Sequence, residues 1–182
     1  PVRGTVWLLF QPAEETGAGA KRMLDDGLLK RFPKPELILA LHCDARYPHG
    51  HVNYRSGIMQ AHVDSVDIVV RGKGGHGAGP HTTIDPIVLA SRIVLDLQTI
   101  VARETSPVDP VVVSVGSFHG GTKHNIIPND VKLQLTVRTT TDATRDRVLK
   151  SIERLVRAAA KSADAPEPEI RIDREAFTPA LV

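Results

Sequence analysis

From about residue 60 onwards, strand-like and helix-like stretches alternate in an order that few folds accommodate. The clearest strand is residues 131–138, VKLQLTVR, because apolar and polar side chains alternate there at every position. A long helix is indicated over residues 143–163, where apolar side chains recur every three or four positions. A second is indicated over residues 84–104, in which Asp85 is a candidate N-cap and is followed by a proline. The region is therefore expected to be a mixed α/β fold.

Three further strands complete this pattern. They are predicted at residues 62–73, at residues 111–118 and around Ile170 and Ile172. The resulting order is β-α-β-β-α-β, which is that of the ferredoxin-like fold, an antiparallel sheet with two helices on one face. We therefore expect residues 60–173 to form one domain of this type.

The first 59 residues show a different α/β pattern. Two continuous apolar runs, residues 5–10 (TVWLLF) and 37–41 (LILAL), flank a predicted helix over residues 18–29. Apolar runs of this length that are bounded by chain-breaking residues are typical of parallel strands covered on both faces. A strand at residue 5 needs neighbours that the nearby sequence does not supply. We therefore expect this region to be part of a larger sheet domain, and the chain to be an internal piece of a longer protein.

Composition excludes several classes of function. The chain has 182 residues and a net charge of +2, with the two signs interspersed, so nucleic-acid binding is not indicated. The single cysteine, Cys43, excludes an internal disulfide and fits a reducing compartment. No apolar stretch approaches the roughly 18 residues of a membrane helix, and no signal peptide is recognisable. We expect a cytoplasmic protein.

Acidic and imidazole side chains follow the two apolar runs of the first region. Glu14 and Glu15 come after the first run, and His42 ends the second. Ligands gather outside the carboxyl ends of parallel strands. Two adjacent carboxylates repel each other unless a cation lies between them, and carboxylate with imidazole suits zinc or a similar divalent ion. The pattern favours a metal site; the alternatives are a solvated acidic loop and a structural histidine.

Four stretches follow one another in a recognisable order: QPAEETGAGA (11–20), LH (41–42), GGHGAGPHTTIDP (74–86) and GGTKHNIIP (120–128). Together they resemble the metal-dependent amidohydrolases of the aminoacylase and carboxypeptidase clan, in the branch of hippurate hydrolases and indole-acetyl-amino-acid hydrolases. The resemblance extends over nearly the whole chain. It implies that residues 1–59 belong to a zinc-peptidase-like catalytic domain, that residues 60–173 are an inserted lid and dimerisation domain, and that residues 174–182 return to the catalytic domain.

The resemblance also implies roles for the residues of the first region. Glu14 is similar to the general base that takes a proton from water and later protonates the leaving amine. Glu15 and His42 match metal ligands, and the family's site holds two divalent ions, which for this chain could be zinc, manganese, cobalt or nickel. Cys43, next to His42, is a possible additional donor.

In the lid region the resemblance implies three more roles. His76 matches a histidine that stabilises the tetrahedral oxyanion, often from across a dimer interface, so a homodimer through the lid is expected. Asn125 matches a substrate contact, and Arg138 an arginine that binds the substrate carboxylate, which a guanidinium can hold with two parallel hydrogen bonds. Without the resemblance, His76 and Asn125 would be read as turn residues and Arg138 as a solvated strand residue.

The activity implied for the full-length protein is hydrolysis of the amide bond of N-acyl amino acids such as hippurate. This chain by itself is expected to be inactive, because the family's N-terminal cluster with Gly-His-Asp and its later histidine do not occur in it. Two alternatives stay open. One is a dipeptidase or diaminopimelate-type deacylase of the same family, and the other is a non-catalytic dimerisation module.

Overall fold

The structure, a computed structural model, describes residues 3–14 and 17–181, except for the side chains of residues 174–176. The chain divides into two units, Pro1–Tyr54 and Arg55–Val182. The described residues contain no helix long and apolar enough to cross a membrane.

The described residues of the first unit form two short helices, α1 (Gly19–Asp25) and α2 (Leu28–Arg31). The single helix predicted over this stretch is interrupted at Gly27, whose φ of +87° is the left-handed conformation that favours glycine. Within the described part of this unit, the two predicted strands are not formed, and Leu8 and Leu41 are 81% and 92% exposed. A parallel strand is stable only with hydrogen-bonded neighbours and layers on both faces, and the described residues of this unit provide neither.

The second unit contains the ferredoxin-like sheet. Its strands are β1 (His62–Arg71), β2 (Gly75–His76), β3 (Val112–Gly120), β4 (Ile126–Ile127), β5 (Asp130–Thr139) and β6 (Glu169–Thr178). The four long strands form an antiparallel sheet in the order β3-β5-β1-β6, and β2 and β4 form a separate two-stranded ribbon. Together with α3 (Pro86–Arg103) and α4 (Asp142–Ser162), this is the predicted β-α-β-β-α-β order. The predicted α/β fold class is confirmed.

One hydrophobic core lies between the sheet and the two long helices. Alternate residues of β1 and β5 face α3 and α4. Large apolar side chains from both layers are almost completely buried there, among them Ile68, Leu133, Ile93, Leu97 and Ile152. Burying each such side chain stabilises the fold by about 1.5–3 kcal/mol. The alternation seen in the sequence is thus the core face of the sheet.

Both long helices begin at a side-chain cap. The Asp85 carboxylate accepts hydrogen bonds from the backbone N–H groups of Ile87 (2.8 Å) and Val88 (3.4 Å), as predicted. At the start of α4, the Thr141 hydroxyl accepts one from the Thr144 N–H (3.2 Å). The caps satisfy backbone donors that have no partner within the helix.

A buried ion pair lies at one end of the sheet. Asp64 on β1 is fully buried, and its carboxylate accepts hydrogen bonds from Nε and Nη2 of Arg145 on α4, at 2.8 and 2.6 Å. These bonds raise the pKa of Arg145. The guanidinium also lies over the Phe177 ring, 4.1 Å from its centroid. The pair therefore links the helix layer to two strands of the sheet.

The beginning and the end of the second unit are hydrogen-bonded to each other. The Met59 N–H donates to the Leu181 carbonyl (2.7 Å), and the Leu181 N–H donates to the Gln60 carbonyl (3.0 Å). The chain therefore enters β1 and leaves β6 side by side.

Candidate catalytic and metal-binding residues

Glu14 lies in an exposed turn of the first unit. Its carbonyl accepts a hydrogen bond from the Gly17 N–H (2.8 Å), and the preceding Ala13 has a φ of +51°. A non-glycine residue in this conformation is strained, and such residues concentrate at functional sites. Glu15, the predicted metal ligand, lies outside the described residues.

His42 is exposed, and a hydrogen bond fixes its tautomer. Its Nδ1 lies 2.6 Å from the Cys43 carbonyl oxygen. Because a carbonyl can only accept, Nδ1 carries a proton, and in the neutral ring Nε2 then has the lone pair that could bind a metal. The adjacent Asp44 is engaged by Arg46 at 2.6 Å, and hydrogen bonds from Arg46 lower the pKa of Asp44 to about 2.

The donor types of the first unit fit a divalent cation, but the described residues do not complete a site. Catalytic zinc usually has three protein ligands. Nowhere in ranges 3–14 and 17–181 do three His, Cys, Asp or Glu side chains come together as a potential metal site. Of the two predicted metal ligands, His42 lies within the described residues and Glu15 does not. Cys43, the neighbour of His42, is exposed.

The ribbon of the second unit brings two predicted site residues together. His76 on β2 pairs with Ile126 on β4, and the Gly77 N–H donates to the Asn125 carbonyl at 2.8 Å. His76 and Asn125 are therefore neighbours across the ribbon, and both are exposed. The ribbon therefore brings the backbones of these two predicted site residues close together.

The tautomer of His76 is also set by its surroundings. The Ala78 N–H donates to His76 Nδ1 at 3.1 Å, so Nδ1 is the acceptor and the neutral ring carries its proton on Nε2. The exposed Nε2–H group is a hydrogen-bond donor. This is the property required of a group that stabilises an oxyanion.

The glycines around His76 are required by close packing. A Cβ atom on Gly74 would lie 2.6 Å from the Ile127 carbonyl oxygen, and one on Gly75 would lie 2.7 Å from Cγ2 of Thr83. Both distances are shorter than side chains tolerate, so a larger residue at Gly74 would push the chain away from β4, and one at Gly75 would push it away from Thr83. The glycine-rich sequence is therefore a condition for the position of His76.

Arg138 does not join the ribbon residues. It lies near the end of β5, paired with Val63 and Val112, about 27 Å along the strand from Asp130 at its beginning. Its side chain is exposed on the face of the sheet opposite the helices, and it makes no hydrogen bond or ion pair with the described residues.

Comparison with known proteins places the chain in a family. The sequence model of the M20 peptidase dimerisation domain matches residues 53–164, more than half of the chain. The chain belongs to the M20 peptidase family. The matched part contains most of the second unit, including the ribbon with His76 and Asn125.

Individual relatives cover both units. An N-acetyldiaminopimelate deacetylase of Bacillus velezensis is 43% identical over 157 residues, which are 86% of this chain and 42% of that protein. An IAA-amino acid hydrolase ILR1-like 2 of Arabidopsis thaliana is 45% identical over 144 residues, 79% of this chain and 32% of that one. The M20 chain thus spans about two fifths or less of the length of these curated relatives.

A solved structure shows the same fold. The Bacillus subtilis YXEP protein, described as a dinuclear metal-binding peptidase of the M20 family, has a TM-score of 0.64 and 29% identity, covering 94% of this chain and 41% of that one. The relatives named here are thus a deacetylase, an amino acid hydrolase and a dinuclear metal-binding peptidase.

Proposed function

We propose that the full-length M20 protein is a metal-dependent amidohydrolase that cleaves the amide bond of N-acyl amino acids, with hippurate-like substrates. The observation that carries this proposal is the exposed ribbon in which His76 pairs with Ile126 and the next residue, Gly77, bonds to Asn125, with the Nε2–H of His76 available as a donor. In this proposal, residues 1–59 and 174–182 belong to the catalytic domain and residues 60–173 form the lid.

Glu15 and His42 would hold a divalent ion (zinc, manganese, cobalt or nickel) in a site that takes two ions in the intact enzyme. His42 is prepared for this role because the Cys43 carbonyl accepts its Nδ1 proton and leaves Nε2 free. When bound, the metal lowers the pKa of water and polarises the scissile carbonyl. Glu14 takes a proton from the attacking water and gives one to the leaving amine.

The lid residues would bind the substrate and its developing charge. The Nε2–H of His76 donates a hydrogen bond to the oxyanion, and donors aimed at developing charge are worth several kcal/mol in rate. Asn125 contacts the bound substrate beside it. Arg138 would hold the substrate carboxylate with two parallel hydrogen bonds, for which its guanidinium is exposed.

The experiment that tests this function is a substrate panel on the full-length protein loaded in turn with each of the four metals. The panel contains hippurate, an indole-acetyl-amino acid, N-acetyldiaminopimelate and a dipeptide. We expect hydrolysis of hippurate that a chelator abolishes. Preference for N-acetyldiaminopimelate would favour the deacylase alternative, which the similarity to the Bacillus velezensis protein supports. No hydrolysis of any compound with any metal would leave the non-catalytic dimerisation module.

We also propose that the protein is a homodimer that associates through α3 and β3. β3 is an edge strand of the described sheet, so no strand of that sheet pairs with its outer backbone groups. Beside it, α3 exposes Val88 and Leu95, seven positions apart on one face, and Leu95 is 70% exposed. The opposite edge, β6, carries charged side chains such as Glu169 and Arg171. A second copy is the expected partner because the matched family domain is a dimerisation domain.

Replacing Leu95 with glutamate is expected to raise the dimer dissociation constant at least about tenfold, because a carboxylate would be buried without a partner in both copies. Analytical ultracentrifugation over a concentration series measures this. The matched control is Ala158→Glu, which introduces the same charge on an exposed position of α4. Equal dissociation constants for the two variants would contradict the proposed interface.

Mixing inactive His76→Ala and Glu14→Gln full-length enzymes is expected to restore activity if His76 acts on the site of the other copy. Random subunit exchange makes half of the dimers mixed, and each mixed dimer has one complete site of two, so about a quarter of the wild-type activity should return. Each variant incubated alone is the control. A mixture that stays inactive after exchange has been verified by mass spectrometry would show that His76 does not act across the interface.

A further inference from the structure

Asn129 makes two hydrogen bonds to the glycine-rich turn that precedes His76. Its side-chain Oδ1 accepts from the Gly74 N–H at 3.0 Å, and its carbonyl accepts from the Gly72 N–H at 2.8 Å. Asn129 thus holds two backbone groups at alternate positions of the turn. None of the patterns in the sequence indicates this residue.

The hydrogen bond from the Gly74 N–H to the Asn129 side chain differs from the other hydrogen bonds that hold the turn. β2 is paired with β4, and Lys73 exchanges two backbone hydrogen bonds with Ile84. These hydrogen bonds join backbone to backbone, so they do not depend on which side chains the residues carry. Among the described residues, the amide of Asn129 makes the one side-chain hydrogen bond that reaches residues 72–77 from elsewhere in the chain.

The contact is close and leaves little freedom to the turn. A Cβ atom on Gly74 would lie 2.9 Å from Asn129 Oδ1 as well as 2.6 Å from the Ile127 carbonyl oxygen. The turn therefore lies directly against residues 127–129. His76 follows Gly74 by two residues. A shift of the Gly74 amide is therefore expected to move the His76 imidazole with it.

We propose that Asn129 is a positioning residue for His76: its side-chain oxygen fixes the Gly74 amide and thereby the direction in which His76 presents Nε2–H. This inference rests on the proposed function for its effect on catalysis. The relevant property is the acceptor oxygen, since the Gly74 N–H is the group that is held. Misplacement of a catalytic group by about 1 Å can cost on the order of a hundredfold in rate.

The test compares Asn129→Ala with Asn129→Asp in the full-length enzyme. We expect the alanine variant to lower kcat by about tenfold to a hundredfold with KM changed by less than about twofold. The aspartate variant keeps an acceptor oxygen at the same position and should retain kcat within about threefold. Asn53→Ala, at an exposed asparagine of the first unit, is the matched control and should have no effect.

A second readout does not depend on activity. In the 182-residue chain, the ¹⁵N NMR spectrum of the histidine rings reports the tautomer of His76, and hydrogen exchange reports protection of the Gly74 amide. Asn129→Ala should speed Gly74 exchange and reduce the Nε2–H population of His76, whereas Asn129→Asp should change neither. If circular dichroism shows that the alanine variant is unfolded, Asn129→Gln, which displaces the oxygen by one methylene, replaces it with the same expected effects.

Three outcomes would overturn the proposal. The first is that kcat and the NMR spectra are unchanged in the alanine variant. The second is that kcat falls equally in the aspartate variant. The third is that the alanine variant changes KM and leaves kcat unchanged. If the wild-type enzyme hydrolyses no substrate, the proposed function fails, and the NMR comparison then decides the role of Asn129 on its own.

Discussion

Replacing Glu14 with glutamine in the full-length enzyme is expected to lower kcat by about a hundredfold to ten-thousandfold and to leave the metal content unchanged. An amide has nearly the shape of the carboxylate but cannot take a proton from water. Glu14 lies in an exposed turn next to the strained Ala13, so the substitution removes no packing. Steady-state kinetics and metal analysis of the same sample measure the two effects.

Two other substitutions complete this experiment. Glu15→Gln should reduce the bound metal, because Glu15 is the proposed ligand. Glu36→Gln changes another exposed glutamate of the first unit and should change neither activity nor metal content. If Glu14→Gln loses metal while Glu15→Gln retains it, the two roles are reversed.

Replacing Arg145 with methionine is expected to lower the free energy of unfolding by about 3–5 kcal/mol, because it leaves the carboxylate of Asp64 buried without its partner. Methionine can keep apolar contact with the Phe177 ring, so the substitution mainly removes the positive charge that pairs with Asp64. Urea unfolding of the 182-residue chain, followed by far-UV circular dichroism, measures this. That signal comes mainly from the long helices α3 and α4.

The matched control is Arg71→Met. Arg71 pairs with Glu169 at 2.5 Å and with Asp130 at 3.4 Å, but all three side chains are at least 37% exposed, so water can replace the guanidinium. Exposed ion pairs contribute little to stability, so the control should unfold at nearly the wild-type urea concentration. A similar loss of stability in both variants would show that burial of Asp64 does not determine the energetics of its ion pair.

The second unit could be predicted from the sequence because its determinants are local. The alternation in residues 131–138 is the core face of β5, and Asp85 caps α3 where the sequence indicated it. The apolar runs at residues 5–10 and 37–41 carry an equally strong pattern. Whether such a run becomes a strand depends on hydrogen-bonded neighbours, which an apolar pattern does not supply.

The candidate site was less accessible to pattern analysis. β2 and β4 have two residues each, too short for any periodicity, so only the resemblance to amidohydrolases pointed to His76 and Asn125. Their proximity follows from the pairing of these two short strands. Asn129 was missed because its hydrogen bond to Gly74 spans 55 positions of the sequence and leaves no local signal. The roles of all six candidate residues stay predictions: Glu14, Glu15, His42, His76, Asn125 and Arg138.

The hydrogen bonds that join Met59 and Gln60 to Leu181 have a consequence for chain entropy. The entropic cost of closing a loop rises with its length, but a folded insert whose ends already touch acts on its host domain as a short loop. The same geometry allows circular permutation of the second unit. A short linker could join Leu181 to Met59, and new termini could be opened in the exposed turn at residues 106–108. All strand pairs would be retained, so the sheet does not depend on the point at which the chain enters it.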